Sequence, residues 1–380
     1  MKSAIYFPIL RGKEGEIDAI GHLSPYARLR VRPLFDIQKP RSPAKSSIEQ
    51  FLADKAREIA SAWGTTRPLF IDFRRYGPDE NTATGFHPAE HFFECSRQLG
   101  LQAIPVAGPE SERGPGDRYI NAVTDIAQRG NRGAAIRLPY EALLDPGRRQ
   151  DQLTQLRNAF SLPFSMIDVF LDLEALNRLS SVERSDPVLL ALLFEALAAV
   201  RQFSPRTTVV CGSSLPETLG KRHEWQPVSI PRTELLLWDA LIGGPHRELV
   251  GFGDYGVVYP FEIDPDKFVR PPSRIRLANK NEHLIFRAKS TEYRALCQSA
   301  LSHESVSDLP RCWGAQQLSR SAAGAEGIGS PTDWISRDTN VHIEATVSRI
   351  EAELRRRGLA SSLEFDAPDS TPWMQESFLE

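Results

Sequence analysis

Eight short apolar runs punctuate the chain. They are AIYFPIL (4–10), RVRPLFDI (30–37), RPLFIDF (67–73), QAIPVAG (102–108), GAAIRLP (133–139), MIDVFLDLE (166–174), RTTVVCGSS (206–214) and LVGFGDYG (249–256). Their starts lie 26 to 43 residues apart, the rhythm of strand–helix units. Most are apolar on both faces, as buried parallel strands are. The segments between them carry helical periodicity. SSIEQFLADKAREIASAWG opens on serine caps and sets Ile48, Phe51, Leu52, Ala56 and Ile59 on one face. HPAEHFFECSRQLG has proline in its first turn and glycine at its end. RYINAVTDIAQRG and DPVLLALLFEALAAVRQF behave alike. The pattern predicts an α/β fold, a (β/α)8 TIM-like barrel. A doubly wound sheet is the rival, but no GxGxxG follows the first run.

Three stretches exceed the minimal barrel. KPRSPAKSS (39–47) reads as a basic loop. SRIRLANKNEHLIFRAKS (273–290) alternates around NKNE and predicts a β-hairpin inserted after the eighth strand. DTNVHIEATVSRIEAELRRRG predicts a last amphipathic helix, with Asp338 or Thr339 capping its start. The expected organisation is one barrel domain over 1–358 with C-terminal helices, then an acidic flexible tail over 359–380. Proline inside the first run removes a ladder donor, so irregular pairing is expected at Pro8.

Composition narrows the class. The chain has 380 residues, 41% hydrophobic and 25% charged, with net charge −3. That is a globular balance without the overall basicity of a nucleic-acid coat. No apolar run approaches membrane-spanning length, and the N-terminal run resembles no signal peptide. Cys95, Cys211, Cys297 and Cys312 are far apart and form no CxxC pair. A reducing cytoplasm is the expected location.

A barrel works at the C-terminal ends of its strands. Those ends carry Arg11, Lys13, Glu14 and Glu16; Asp36; Asp72, Arg74 and Arg75; Arg137 and Glu141; Asp172 and Glu174; Cys211, Ser213 and Ser214; Asp254 and Tyr255. The hairpin adds Arg287 and Lys289. Charge at strand ends is ordinary where strands meet water. Asp36, Asp72 and Asp172 are less ordinary, because each sits inside its run, and aspartate is depleted in strands. Buried carboxylates need partners, and Arg and Lys lie at the same end. Two readings stay open: a structural ion-pair network, or a mouth that grips a ligand bearing phosphate or carboxylate.

Other motifs are weaker. HPAEH (87–91) matches H-x-x-E-H, but Pro88 places His87 at a helix N-cap and no third ligand announces itself, so no metal site is expected. VCGSS (210–214) lacks a nucleophile elbow, and Cys211 reads as a core thiol. GAEGIG (324–329) follows no strand. Asn340 and His342 would begin the eighth helix at the same mouth, with His342 as proton carrier.

YFPILRGKEGEIDAI, VRPLFDI, GDYG and TNVHI together resemble the pattern of the beta family proteins of phages and bacteria, over residues 5 to 350. Members often end in an Asn-His-His-like run where this chain has Asn340-Val341-His342. The resemblance implies a setting of phage–host conflict and draws attention to Lys13, Gly15, Glu16, Arg32, Pro33, Asp36, Asp254, Tyr255, Asn340 and His342.

The expected function is binding of a phosphate-bearing ligand, a nucleotide or nucleic-acid end, at the barrel mouth. Arg11, Lys13, Glu16, Asp36, Asp72, Arg137, Tyr255, Arg287 and Asn340 would bind it. If the ligand is turned over, the expected reaction is hydrolysis or phosphodiester cleavage. Asp172 or Glu174 would then be the base, His342 the acid, and Asp254 part of the same centre. No motif names a cofactor. The rival is a non-catalytic sensor or scaffold, docking a protein partner from the same operon through its surface and the acidic tail.

Overall fold

The computed structural model describes residues 4–40, 47–108, 118–184, 186–219, 227–244, 250–261, 273–288, 292–306, 309–325 and 329–359. The acidic tail, Lys289 and the middle of GAEGIG lie outside them. Its strands are β1 (Ile9–Leu10), β2 (Leu34–Asp36), β3 (Pro68–Asp72), β4 (Gln102–Ala107), β5 (Ala134–Pro139), β6 (Ile167–Ala175), β7 (Thr207–Ser213), β8 (Val228–Pro231), β9 (Gly251–Asp254), β10 (Ser273–Ala278) and β11 (Glu282–Ala288). Its helices are α1 (Glu14–Gly21), α2 (Pro25–Arg30), α3 (Ile48–Trp63), α4 (Pro88–Gln98), α5 (Arg118–Gly130), α6 (Tyr140–Leu144), α7 (Pro146–Phe160), α8 (Asp186–Arg201), α9 (Thr233–Gly243), α10 (Tyr293–Ser302), α11 (Trp313–Ala323) and α12 (Pro331–Arg356).

Eight parallel strands run in the order β1-β2-β3-β4-β5-β6-β7-β9. The first and last are joined through Tyr6, which bridges to Val31 on one side and Phe252 on the other. The Phe7 amide donates to the Phe252 carbonyl at 2.8 Å, and the Phe252 amide donates to the Ile5 carbonyl at 3.2 Å. The sheet is thus a barrel, as the strand rhythm predicts. Pro8 sits in the gap between the Tyr6 bridges and the two-residue β1, so the first strand is shorter than its apolar run. The proline has no amide to give, but its carbonyl accepts from Leu34 N at 2.9 Å.

Side chains alternate inward and outward along each strand. Phe7, Ile9, Leu34, Phe70, Ile104, Val106, Ala135, Phe170, Val209, Cys211 and Tyr255 fill the barrel. The rings of Phe7, Phe70 and Phe170 meet at 5.1 to 6.4 Å. Glycine at 251 and 253 makes room for this packing. A Cβ at Gly251 would lie 2.6 Å from the Phe7 ring, and one at Gly253 2.9 Å from the Phe7 carbonyl oxygen. The outward positions pack under the helices, where the largest apolar cluster lies.

The predicted hairpin forms as β10 and β11. A strand the apolar pattern did not flag, β8, pairs with β11 and makes a three-stranded antiparallel sheet. Only Val228 of its four residues is buried, so its apolar signal is weak. The last helix also differs from expectation. It begins at Pro331, capped by Ser330, whose Oγ accepts from Asp333 N. Asp338, Thr339, Asn340 and His342 therefore lie within the helix, not at its cap. The SPTDW stretch supplies the stronger start signal: a serine, a proline and an acid three residues on. Among the described residues no helix is long and apolar enough to cross a membrane.

Asp338 secures the edge of the small sheet. Its Oδ2 accepts from the Arg276 backbone amide at 2.9 Å and from Arg276 Nη1 at 3.3 Å. Burial pushes its carboxyl up to about 7, against the pull of Arg276. The folded protein then holds a proton there that the unfolded chain releases from about pH 4 upward. That stabilising contribution is full below the ordinary carboxyl pKa and is lost as pH rises to 7. Asp338→Asn is expected to flatten the fall in denaturant-derived stability between pH 4 and 7 by about 1–3 kcal/mol. Parallel pH curves for the two proteins would contradict this.

Candidate functional site at the barrel mouth

Inward parity runs on past the aromatic layer. Asp36 follows Leu34, Asp72 follows Phe70, Arg137 follows Ala135 and Asp172 follows Phe170, each two residues on. Period two therefore brings these four to one layer at the C-terminal end, and the structure joins them. Arg137 Nε donates to Asp172 Oδ2 at 2.8 Å, Nη1 to Asp72 Oδ2 at 2.8 Å, and Nη2 to the Tyr255 hydroxyl at 2.6 Å. The Tyr255 hydroxyl donates in turn to Asp172 Oδ2 at 2.6 Å. All four residues are buried. The charges around Arg137 hold it firmly protonated despite its burial. Burial and the adjacent Asp172 push Tyr255 far up, so its hydroxyl keeps its proton. Cys211 beside them is likewise held as a thiol, chiefly by burial.

Above this node sits a more open group. Arg74 and Arg75 each donate through Nε to Asp36 Oδ2 at 3.2 Å. Arg74 Nη1 also reaches Glu174 Oε1 at 3.3 Å. Burial pulls the Asp36 carboxyl upward, but Arg74, Arg75 and Arg137 outweigh it and hold the group below the usual carboxylate range. Glu174 stands where β6 slips register between Asp172 and Ala175. Its φ is +54°, a left-handed conformation that costs a residue with a side chain roughly 1 kcal/mol or more. Its amide donates to Asp172 Oδ1 at 2.9 Å, which holds the bulge. Among the described residues, two buried atoms of this group have no hydrogen-bond partner: Asp36 Oδ1 and Arg74 Nη2. The segment after Tyr255 passes across the same end. Its Pro260 carbonyl accepts from Arg75 Nη2 at 3.1 Å, and its Phe261 carbonyl accepts from Arg11 Nη2 at 2.7 Å.

Asp254 belongs to a different cluster, because its parity is that of Phe252, which faces the helices. It accepts from Tyr6 Oη at 2.6 Å, Arg232 Nη2 at 3.0 Å and Gly256 N at 2.9 Å, and lies 2.8 Å from His342 Nε2. His342 stacks on His283 of β11, with ring centroids 5.5 Å apart. Glu234 lies 3.6 Å from His283 Nε2 and 3.8 Å from Arg232 Nε. Burial lowers His342 more than the Asp254 carboxylate raises it, so the imidazole is neutral at pH 7. Burial works against Asp254, but His342, Arg232 and Tyr6 keep it ionised. This cluster ties the barrel wall to α12 and the small sheet.

The remaining site candidates are distributed. Glu16 is buried at the start of α1, where Oε2 accepts from Arg11 N at 3.0 Å and Lys13 N at 3.3 Å. Burial holds its carboxyl above the ordinary value. It closes the strand-to-helix turn at Gly12, whose φ is +62°. Lys13 is partly buried beside it. Asn340 is held away from the mouth. Its Oδ1 accepts from Gly314 N at 2.9 Å, and its Nδ2 donates to the Ala19 and His22 carbonyls at 3.2 and 3.1 Å, locking α12 to α1 and α11. Arg287 lies on the small sheet opposite Arg274. His87 is the N-cap of α4, its Nδ1 accepting from Ala89 N at 3.1 Å. Among the described residues no group of three His, Cys, Asp or Glu is placed to hold a metal ion. Sequence reasoning missed Arg232, Glu234 and His283. Only the unflagged β8 and the turn after it could have pointed to the first two.

These features define a (β/α)8-barrel protein whose polar residues converge at the C-terminal strand ends. The sequence pattern of the Beta protein family matches residues 6–348, and the chain belongs to that family. Among similar solved structures is triosephosphate isomerase from Bartonella henselae, with 14% identity over 65% of this chain and 90% of that one and a TM-score of 0.34. Another is a putative dihydrodipicolinate synthase family protein from Coccidioides immitis, with 10% identity, 95% of each chain and a TM-score of 0.37. A glucosidase from Croceicoccus marinus shows 11% identity over 63% of this chain and 54% of that one, with a TM-score of 0.34. A comparison with the curated proteins gave no match.

Removing the guanidinium at the node leaves two buried carboxylates without their cation. Arg137→Met is expected to cost about 3–5 kcal/mol, and Tyr255→Phe about 1–2 kcal/mol, in chemical denaturation. Equal, small losses would show that the node is not the tie described here.

Proposed function

We propose that the barrel mouth binds a phosphate-bearing ligand, a nucleotide or nucleic-acid end, in a setting of phage–host conflict. The observation that carries this reading is the pair of buried, unpartnered atoms, Asp36 Oδ1 and Arg74 Nη2. Buried polar groups are nearly always satisfied, by protein, water or ligand. Here one acceptor and one donor belong to an ion-paired couple. A nucleotide offers the complement: a sugar hydroxyl donating to Asp36 and a phosphate oxygen accepting from Arg74. Arg11, Arg75 and Lys13 at the same end favour an anion. Arg137 serves differently, because its donors are engaged by Asp72, Asp172 and Tyr255; it fixes the floor beneath the ligand.

The same occupancy argument sorts the carboxylates. Asp172 spends both oxygens on Arg137, Tyr255 and the Glu174 amide. Glu174, strained and part-exposed, is the carboxylate positioned to act as base in hydrolysis. His342 is enclosed with Asp254, so its part is to set the wall of the mouth.

Calorimetric titration with a 5′-phosphorylated dinucleotide tests the reading. Arg74→Gln, which leaves Asp36 to Arg75 and Arg137 and is expected to lower the melting temperature, should weaken binding about tenfold or more, roughly 1.4 kcal/mol, when titrated well below its melting point. Undiminished affinity in that variant would overturn it. Glu174→Gln is expected to retain binding while removing any turnover of the dinucleotide.

A further inference from the structure

The antiparallel register of β10 and β11 sets Arg274 directly opposite Arg287, and Arg276 opposite Ile285. Side-chain alternation then puts Arg274, Arg276, Arg287, Ile285 and His283 on one face of the small sheet. That face is turned toward the barrel's C-terminal end. His283 stacks on His342, and Ile285 packs with Leu215, two residues beyond β7. Like charges directly across a strand pair repel. Arg276 has a partner in Asp338, whose Oδ2 accepts from Arg276 Nη1 at 3.3 Å. Arg274 has no such relief. Its guanidinium makes no hydrogen bond or ion pair with a described residue, and its Nε is buried without a partner. Burial, with Arg276 and Arg287 nearby, pushes Arg274 down to about 10. Such a shift is what a guanidinium shows when no anion faces it.

We propose that this face of the small sheet is a second anion site, in which Arg274 takes a phosphate group with Arg276 and Arg287 beside it. A bound phosphate would accept from the buried Nε, offset the repulsion across the strands and tie β10 to β11. The site rests on its own observations and does not depend on the Asp36–Arg74 pair receiving a ligand. Three arginines on one sheet face suit a polyphosphate or a nucleic-acid backbone better than a lone phosphate.

The test is calorimetric titration of inorganic tripolyphosphate into the wild type, Arg274→Gln, Arg274→Lys and Arg74→Gln, each melted first without ligand. Arg274→Gln is expected to melt at or above the wild type, since it removes a like charge. Its affinity for tripolyphosphate is expected to fall about tenfold or more, and Arg274→Lys to recover part of that loss. The salt slope of binding is expected to shrink by about one for Arg274→Gln. Unchanged affinity in Arg274→Gln overturns the proposal, and so does a wild type that binds no tripolyphosphate. If Arg274→Gln weakens tripolyphosphate binding while Arg74→Gln does not, this site stands, and the mouth is judged separately by the dinucleotide titration of Arg74→Gln.

Discussion

The guanidinium of Arg137 ties together the ends of β3, β5 and β6 and the residue that follows β9, through Asp72, Asp172 and Tyr255. A cation buried this deeply is tolerable only with full pairing, and a carboxylate likewise. Each partner therefore constrains the others. The aromatic layer below excludes water from the node, and the node in turn fixes where Asp36, Arg74 and Glu174 stand. The floor is saturated and rigid, while the rim keeps an acceptor and a donor in reserve.

A second buried cluster does comparable work one layer outward. Asp254 gathers Tyr6, Arg232 and His342, so one carboxylate links the first strand, the turn before α9 and the middle of α12. His283 extends the link to β11. The small sheet is thereby fastened to the barrel by polar contacts, while its apolar face packs on α10, α11 and α12. This fastening gives the arginines of β10 and β11 a defined position relative to the barrel.

Much of this was legible in the chain. The spacing of eight apolar runs gave the barrel, the NKNE turn gave the hairpin, and Asp36, Asp72 and Asp172 stood out because strands rarely carry aspartate inside them. Parity within each run also reports facing. Asp172 lies two residues beyond Phe170 and faces in, whereas Asp254 lies two beyond Phe252 and faces out. Grouping Asp254 with the mouth passes over that alternation. What the sequence could not show is long-range pairing. Nothing local says that Asn340 locks α1 and α11, or that His283 will meet His342. β8 carries little apolar signal because only Val228 of its residues is buried, and the cap of α12 at Ser330 lies well before the DTNVHI run that itself has the look of a helix start. The unpartnered state of Asp36 Oδ1 and Arg74 Nη2 arises only from how the folded chain packs, and has no sequence signature.

In this arrangement the rim of the mouth is the proposed ligand site and the floor beneath it is structure. The most direct measurement is the electron density at that rim in crystals grown with a 5′-phosphorylated dinucleotide. The expected result is a phosphate oxygen on Arg74 Nη2 and a sugar hydroxyl on Asp36 Oδ1, with Arg137 unmoved from Asp72, Asp172 and Tyr255. Ordered waters on both rim atoms, with the dinucleotide absent or bound elsewhere, would contradict it.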